Sequence, residues 1–302
     1  MALELFEKLL QPLYYFIDPA KRIWWPYLLV SFVFSVIIIK FKKSSQITLA
    51  DFFSKKGLLH PSSLVDLKLF FFNQWFYMLL LSPVLIEQLE LISLLSAVLK
   101  ITNILRSVSV PSMLVSISYA FVLFICTDFS RFFLHWCMHK FNFLWKFHQV
   151  HHSAEVLTPM TVYRSHPVEM ILYKLRGLFV VSIVTAIFYT LFKNNLSFWN
   201  ILGVNVFGFI FNMCLANLRH SPVWIGFGLF EHVFISPAQH QMHHSRASAL
   251  GRNNLGSCLA FWDKCFGSWM GSNQSEPILY GVSEKYSNHK PTKLLSALLL
   301  KK

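Results

Sequence analysis

The stretch FLHWCMHKFNFLWKFHQVHH, residues 133–152, places five histidines within twenty residues, and its last five letters return almost unchanged as HQMHH at residues 240–244. His135 and His139 are four apart. His148, His151 and His152 are spaced i, i+3, i+4, and His240, His243 and His244 repeat that spacing. On a helix each set projects from one face. A metal ion needs such convergence, because it takes several imidazole nitrogens at about 2.0–2.1 Å, and two donors one turn apart supply half a coordination sphere. Eight imidazoles suffice for two ions with about four donors each. An isolated histidine reads more simply as a hydrogen-bonded buried group, and a cluster can serve as a pH sensor. Neither reading requires three boxes with a repeated HxxHH spacing.

The chain around these boxes is apolar. Of 302 residues 55% are hydrophobic and only 14% charged, with a mean hydropathy of +0.49. This composition predicts an all-α, multi-pass transmembrane helical bundle of four to five spans. The expected spans are residues 24–39 (anchored by Trp24, Trp25 and Tyr27), 69–86, 111–127, and an apolar stretch from Leu178 to Ala216. That last stretch is broken at Lys193, Asn194 and Asn195, so it reads as a two-span hairpin or as one span plus a re-entrant segment. Residues 1–22 have the spacing of a helix lying in the interface. The loop 40–68 carries Lys40, Lys42, Lys43, Lys55, Lys56 and Lys68 against Asp51 and Asp66. The positive-inside rule therefore puts it, and the histidines, on the cytoplasmic side. Residues 87–110, with Lys100 and Arg106, then fall outside. The net charge of +13 accompanies no nucleic-acid motif, and contact with anionic headgroups accounts for it. Five cysteines lack metal-site or redox spacing and read as reduced thiols.

The series HxxxH, HxxHH, HxxHH, together with DFSRFFLHWCMHKFNFLWKFHQVHHSAE, YRSHPVE, NLRHS and EHVFISPAQHQMHHS, resembles the fatty acid hydroxylase and sterol desaturase superfamily over roughly residues 110–270. These are integral membrane di-iron oxygenases, and the pattern is most similar to their bacterial and alkylglycerol-monooxygenase-like branch. The resemblance implies a four-helix membrane scaffold with a cytosolic helical cap over a binuclear site, its two irons held by His135, His139, His148, His151, His152, His240, His243 and His244. Family sites also draw on histidines between the second and third boxes. Here His220, which directly follows the apolar stretch, ranks above His166, and His232 and Asn217 stand as supporting positions. Lys140 occupies a position where that branch tends to carry an acidic residue, a departure that leaves that branch's pterin dependence open for this chain. Of the carboxylates Asp128, Glu155, Glu169 and Glu231, Asp128 is the first choice for orienting a ligand, two turns before His135; a helix cap at the end of the third span is the alternative.

The domain organisation expected is residues 1–110 for the first spans, 111–270 for catalysis and 271–302 for a tail. The implied activity is hydroxylation or desaturation of a lipid by O2, with electrons from a separate ferredoxin or cytochrome b5 type donor, since no HPGG, GxGxxG or iron–sulfur pattern is present. A zinc hydrolase is disfavoured because the first box reads HWCMH rather than HExxH. A metal-handling transporter would place ionisable residues inside the spans, which hold almost none.

Overall fold

The computed structural model describes residues 6–7, 9–41, 48–81, 87–192, 200–201, 204–247, 250–273, 278–282 and 294–300. It is mostly helical. The helices are α1 (Trp25–Phe41), α2 (Pro61–Phe76, continued by a π turn at Tyr77–Leu81), α3 (Gln88–Ile101), α4 (Ser112–Lys140), α5 (Asn142–His152), α6 (Pro167–Leu191), α7 (Val206–Phe211, continued by a π turn at Asn212–Ala216), α8 (Pro237–His243), α9 (Phe261–Phe266) and α10 (Leu294–Leu299). A one-turn helix at Leu49–Phe52, several 3-10 turns and one antiparallel pair of two-residue strands complete the described elements.

Among the described residues, three helical stretches are long and apolar enough to cross a membrane: Pro61–Leu81, Ser112–Lys140 and Pro167–Leu191. They keep large apolar side chains such as Leu114, Phe121, Phe133, Phe179 and Ile183 exposed, as lipid-facing helices do. Helices α4 and α6 run antiparallel. Val108 N donates to Leu191 O (2.8 Å) at one end, Tyr119 and Thr185 hydroxyls pair at 2.8 Å in the middle, and Arg176 reaches Ser130 Oγ at 2.8 Å toward the other. The C-terminus of α4 and the N-terminus of α6 therefore meet at one end of the bundle, where the histidines gather.

The structure refines the expected segments in four places. Residues 24–39 form α1, apolar but 17 residues long, about 26 Å at 1.5 Å per residue against a hydrocarbon core of about 30 Å. Its Phe32 packs on Phe53 at 6.0 Å, and Arg22, just before it, lines a cavity beside the histidines. The expected span 69–86 starts earlier, at Pro61, because His60 accepts a hydrogen bond from Ser62 N and Pro61 suits a first helical turn; Pro83 lies outside the described residues. Residues 88–101, within the segment 87–110 expected outside the membrane, are helix α3. Lys174 sits over the Tyr77 ring and Lys100 over Tyr189, so α2 flanks the first half of α6 and α3 the second. Finally, the apolar stretch 178–216 holds the end of α6 and then only α7 and its π turn as helix, while its expected break at Lys193–Asn195 lies outside the described residues. Asn205 caps α7 and donates to Ala120 O (3.4 Å), and Asn217 donates to Arg22 O (2.9 Å). Polar groups that must find protein partners favour this short returning segment over a lipid-facing span. The N-terminal stretch carries a 3-10 turn, Gln11–Phe16, tied to α2 by Tyr15 donating to Gln74.

Arg164 ties α5 and the segment after it to α2. Fully buried, it donates from Nη1 to Asp66 Oδ1 (2.8 Å) on α2, from Nε to Val150 O (2.9 Å) on α5, and from Nη2 to Ser153 Oγ (2.8 Å). Thr161 donates to the other Asp66 oxygen at 2.7 Å. Removing one partner of a buried pair leaves an uncompensated charge at a cost of about 3–5 kcal/mol. Arg164→Leu is expected to lower stability by about that amount in denaturant unfolding of detergent-solubilised protein, and Arg164→Leu/Asp66→Leu to recover most of it.

Candidate metal centre

The first box is the last turn of α4, the second is the end of α5, and the third is α8 with His244 as its C-terminal cap. The seven-residue α8 is started by a capping box, in which Ser236 Oγ accepts from Gln239 N (3.1 Å) and Gln239 Oε1 accepts from Ser236 N (2.9 Å). A 3-10 turn, Leu218–His220, brings in His220.

Nine histidines form two groups whose nitrogens lie within 4.8 Å of one another: His135, His139, His148, His152 and His243 in one, and His151, His220, His240 and His244 in the other. Each HxxHH box is divided between them. His148 and His152 enter the first group and His151 the second; His240 and His244 enter the second and His243 the first. An i, i+4 pair from one box is thus completed by the i+3 histidine of the other.

The hydrogen bonds of the outer ring nitrogens fix how the inner ones face. His135 Nδ1 donates to Leu255 O (2.7 Å), His148 Nδ1 to Glu169 Oε1 (2.9 Å), His151 Nδ1 to Arg164 O (3.1 Å) and His243 Nδ1 to Asn253 O (3.0 Å). With Nδ1 protonated, the Nε2 atoms of neutral rings carry bare lone pairs. His135 Nε2 nonetheless lies 3.0 Å from both His148 Nε2 and His243 Nε2. These contacts are lone pair against lone pair, not hydrogen bonds. The buried Nε2 atoms of His139 and His152 have no hydrogen-bond partner among the described residues. Burial pushes the pKa of His151 down to about 3, and those of His148, His152, His220, His240, His243 and His244 well below the ordinary imidazole value, with neighbouring positive charge adding to the effect. The rings are neutral at physiological pH, the state that binds metal.

A cation between the nitrogens resolves this arrangement. Donors at right angles around an ion at about 2.1 Å stand about 3.0 Å apart, and the second group shows similar spacings: 3.2 Å from His220 Nε2 to His244 Nε2 and 3.1 Å to His240 Nε2. His240 differs in one respect. Arg219 donates to its Nδ1 (2.7 Å), so its neutral ring carries the proton on Nε2, and a metal there would displace that proton.

Four positions singled out in the sequence stand outside both groups. His166 caps α6, accepting from Val168 N (3.1 Å). His232 is exposed and stacks on Trp269 at 4.4 Å. Asn217 binds Arg22 O as described. Asp128 neither caps a helix nor touches a histidine, because α4 continues unbroken through it to Lys140. Its carboxylate accepts from Cys258 N (2.9 Å), Leu259 N (3.1 Å) and Trp262 Nε1 (3.0 Å). With Asp263, which accepts from Leu255 N (2.8 Å) and Gly256 N (2.7 Å), it holds the loop whose carbonyls orient His135 and His243. Glu169, not Asp128, is the carboxylate on a clustered histidine. Pro167 makes Glu169 the third residue of α6 and aims it back at the helix end, a positional signal carried by HPVE.

A cavity of about 370 Å³ adjoins both groups.

Residues 120–268 match the fatty acid hydroxylase family profile. The chain carries a fatty acid hydroxylase domain. Among characterised relatives of this domain, alkylglycerol monooxygenase of Homo sapiens is 26% identical over 175 residues, 57% of this chain and 34% of its own length. Ornithine lipid hydroxylase OlsE of Rhizobium tropici is 25% identical over 161 residues, 53% of this chain and 44% of its own. The chain thus spans between a third and a half of the relatives it matches. No solved structure matches it. All nine clustered histidines lie inside the fatty acid hydroxylase domain.

The loop of that domain is tight at Gly256, where an added Cβ would meet Asp263 Oδ2 at 2.6 Å and Ile235 Cγ1 at 2.9 Å. Gly256→Ala is expected to cost about 1–3 kcal/mol by overpacking, measured by denaturant unfolding. Gly177→Ala, where a Cβ meets nothing within 4 Å, is the matched control and is expected to gain about 0.5–1 kcal/mol from helix propensity.

Proposed function

We propose that the two histidine groups hold a pair of irons and that the protein is a multi-pass membrane oxygenase that oxidises a C–H bond of a lipid, with residues 111–270 as its catalytic unit. The observation that carries this reading is the division of two HxxHH boxes into two convergent, buried, neutral imidazole groups within a fatty acid hydroxylase domain. His135, His139, His148, His152 and His243 would hold one iron, and His151, His220, His240 and His244 the other. Imidazole suits several metals. Iron is preferred because the relatives are named a monooxygenase and a hydroxylase, and the same names favour hydroxylation over desaturation.

The bound irons would supply the redox chemistry that activates O2, using two electrons delivered from outside by a ferredoxin or cytochrome b5 type partner. The chain's own residues do the rest. Glu169 and the carbonyls of Leu255, Asn253 and Arg164 fix the tautomer and plane of His148, His135, His243 and His151, which keeps their Nε2 atoms pointed inward. Burial limits the access of water to the histidines, which open to the cavity on one side and, at His139 and His152, to a smaller pocket of about 100 Å³. Glu169 is engaged by His148, which leaves it poorly placed as the free base a zinc hydrolase would require. The histidines would face the cytoplasm: Ser63 Oγ donates to Gly57 O (3.0 Å), so the segment bearing Lys55 and Lys56 lies at the histidine end.

Membranes containing the protein, supplied with reductant, a reductase–ferredoxin pair and isotopically labelled dioxygen, are expected to yield a lipid carrying one labelled oxygen, detected by mass spectrometry. His139→Ala and His244→Ala, one from each group, are each expected to abolish that product. Glu169→Gln is expected to lower metal affinity or rate by about 10–100-fold through His148. Labelled product persisting in both histidine variants would contradict the assignment.

A further inference from the structure

The cavity beside the histidines is unusually cationic for a site in an apolar chain. Its wall includes Lys21, Arg22, Arg131, Lys174, Arg176 and Arg219, against one carboxylate, Glu169, already bound to His148. One of the cations, Lys21, has a carboxylate partner among the described residues, and two more are tied to neutral groups. Lys21 lies 3.7 Å from Asp18, Lys174 sits 3.2 Å from the centre of the Tyr77 ring, and Arg219 donates to Gly256 O, Ser257 O and His240. The other three, Arg22, Arg131 and Arg176, have no carboxylate partner among the described residues, and Arg176 reaches only the neutral oxygens of Ser130 (2.8 Å) and Thr127 (3.4 Å). Burial and the neighbouring Arg131 and Arg219 push the Arg22 pKa down to about 9. Like charges gathered around a partly open cavity without a counter-charge favour the entry of an anion.

Position adds a second argument. Arg131 precedes His135 by one helical turn, and Arg176 follows Glu169 by two, so these cations lie about 6–11 Å along the helices on the membrane side of the histidines. Beyond them α6 is apolar to its end. This is where a bilayer presents headgroups to a protein. At about 370 Å³ the cavity sits at the small end of sites for organic ligands, room for a headgroup but not for its acyl chain. His135 and His148 of one group and His151, His220 and His240 of the other line the same space.

We propose that this cavity binds the oxyanion-bearing headgroup, phosphate or carboxylate, of a membrane lipid, so that the substrate of the proposed oxygenase is an acidic or zwitterionic amphiphile presenting its head rather than its chain end to the histidines. This inference rests on the oxygenase reading for the word substrate, while the binding itself can be measured without turnover.

The test uses the full chain in a neutral detergent, with and without metal, and three probes: a short-chain lysophosphatidic acid, the monoacylglycerol of the same chain length, and inorganic phosphate. Affinity is read from the ligand-dependent rise in unfolding temperature. The lysophosphatidic acid is expected to bind at least about tenfold tighter than the neutral lipid, and Arg131→Gln to erase about tenfold of that preference, the effect of one charged hydrogen bond. Arg131→Lys is expected to retain most of it, which separates lost charge from lost fold, and Lys55→Gln, an exposed charge away from the cavity, to leave it unchanged. Equal binding of the charged and neutral lipids, or an unchanged preference in Arg131→Gln, would overturn the proposal. Inorganic phosphate binding as tightly as the lipid would overturn its lipid source. Failure here leaves the labelled-oxygen experiment untouched, and failure there leaves this binding result standing.

Discussion

Neutral imidazoles whose lone pairs face one another across 3.0 Å repel, and a cation seated between them relieves that repulsion. The rest of the structure depends on this constraint. Nine rings are brought together at the end of the bundle where α4 finishes and α6 begins, and the outer nitrogens of four of them are committed to carbonyls or a carboxylate. Those commitments are held in turn by buried acids. Asp128 and Asp263 grip the loop that presents Leu255 and Asn253, and Asp66 anchors Arg164, whose carbonyl receives His151. Charged groups that do not touch the centre therefore set its geometry.

The repeated pentapeptide follows from the same constraint. On a short helix, i and i+4 point together while i+3 is rotated aside. Two helices carrying HxxHH can each give a pair to one group and a single ring to the other, and two groups close with few additional elements. The first box adds its pair to the group that His243 completes, and His220 joins the one that His151 completes. The five-to-four division is what this geometry yields from three boxes and one extra ring.

Much of this was legible in the sequence, for identifiable reasons. Helical spacing alone located the boxes, and resemblance added His220. The membership of each group was not legible, because it depends on how α5 and α8 face each other, which is tertiary. Asp128 was misjudged because distance along α4 was taken for distance to a ring nitrogen, whereas its side chain points to the 258–262 segment. Arg164, Arg219 and the carbonyls of the 253–257 loop carry no local pattern, and their roles arise only from long-range contacts. The span pattern left α3 and α7 open, because hydropathy reports burial from water without separating lipid from protein. The second half of α6 is covered by α3, and the polar ties of α7 fit the re-entrant alternative.

The central claim is that the histidines form two metal sites rather than a hydrogen-bonded polar core. Its most direct test is the metal content, with X-ray absorption at the iron edge, of the protein purified in mild detergent after expression with iron. About two irons per chain, with a first coordination sphere dominated by imidazole nitrogen, is the predicted result. Retention of no tightly bound metal after anaerobic reconstitution, with the fold intact, would contradict the account, and one zinc per group that iron cannot replace would contradict its assignment to oxygen chemistry.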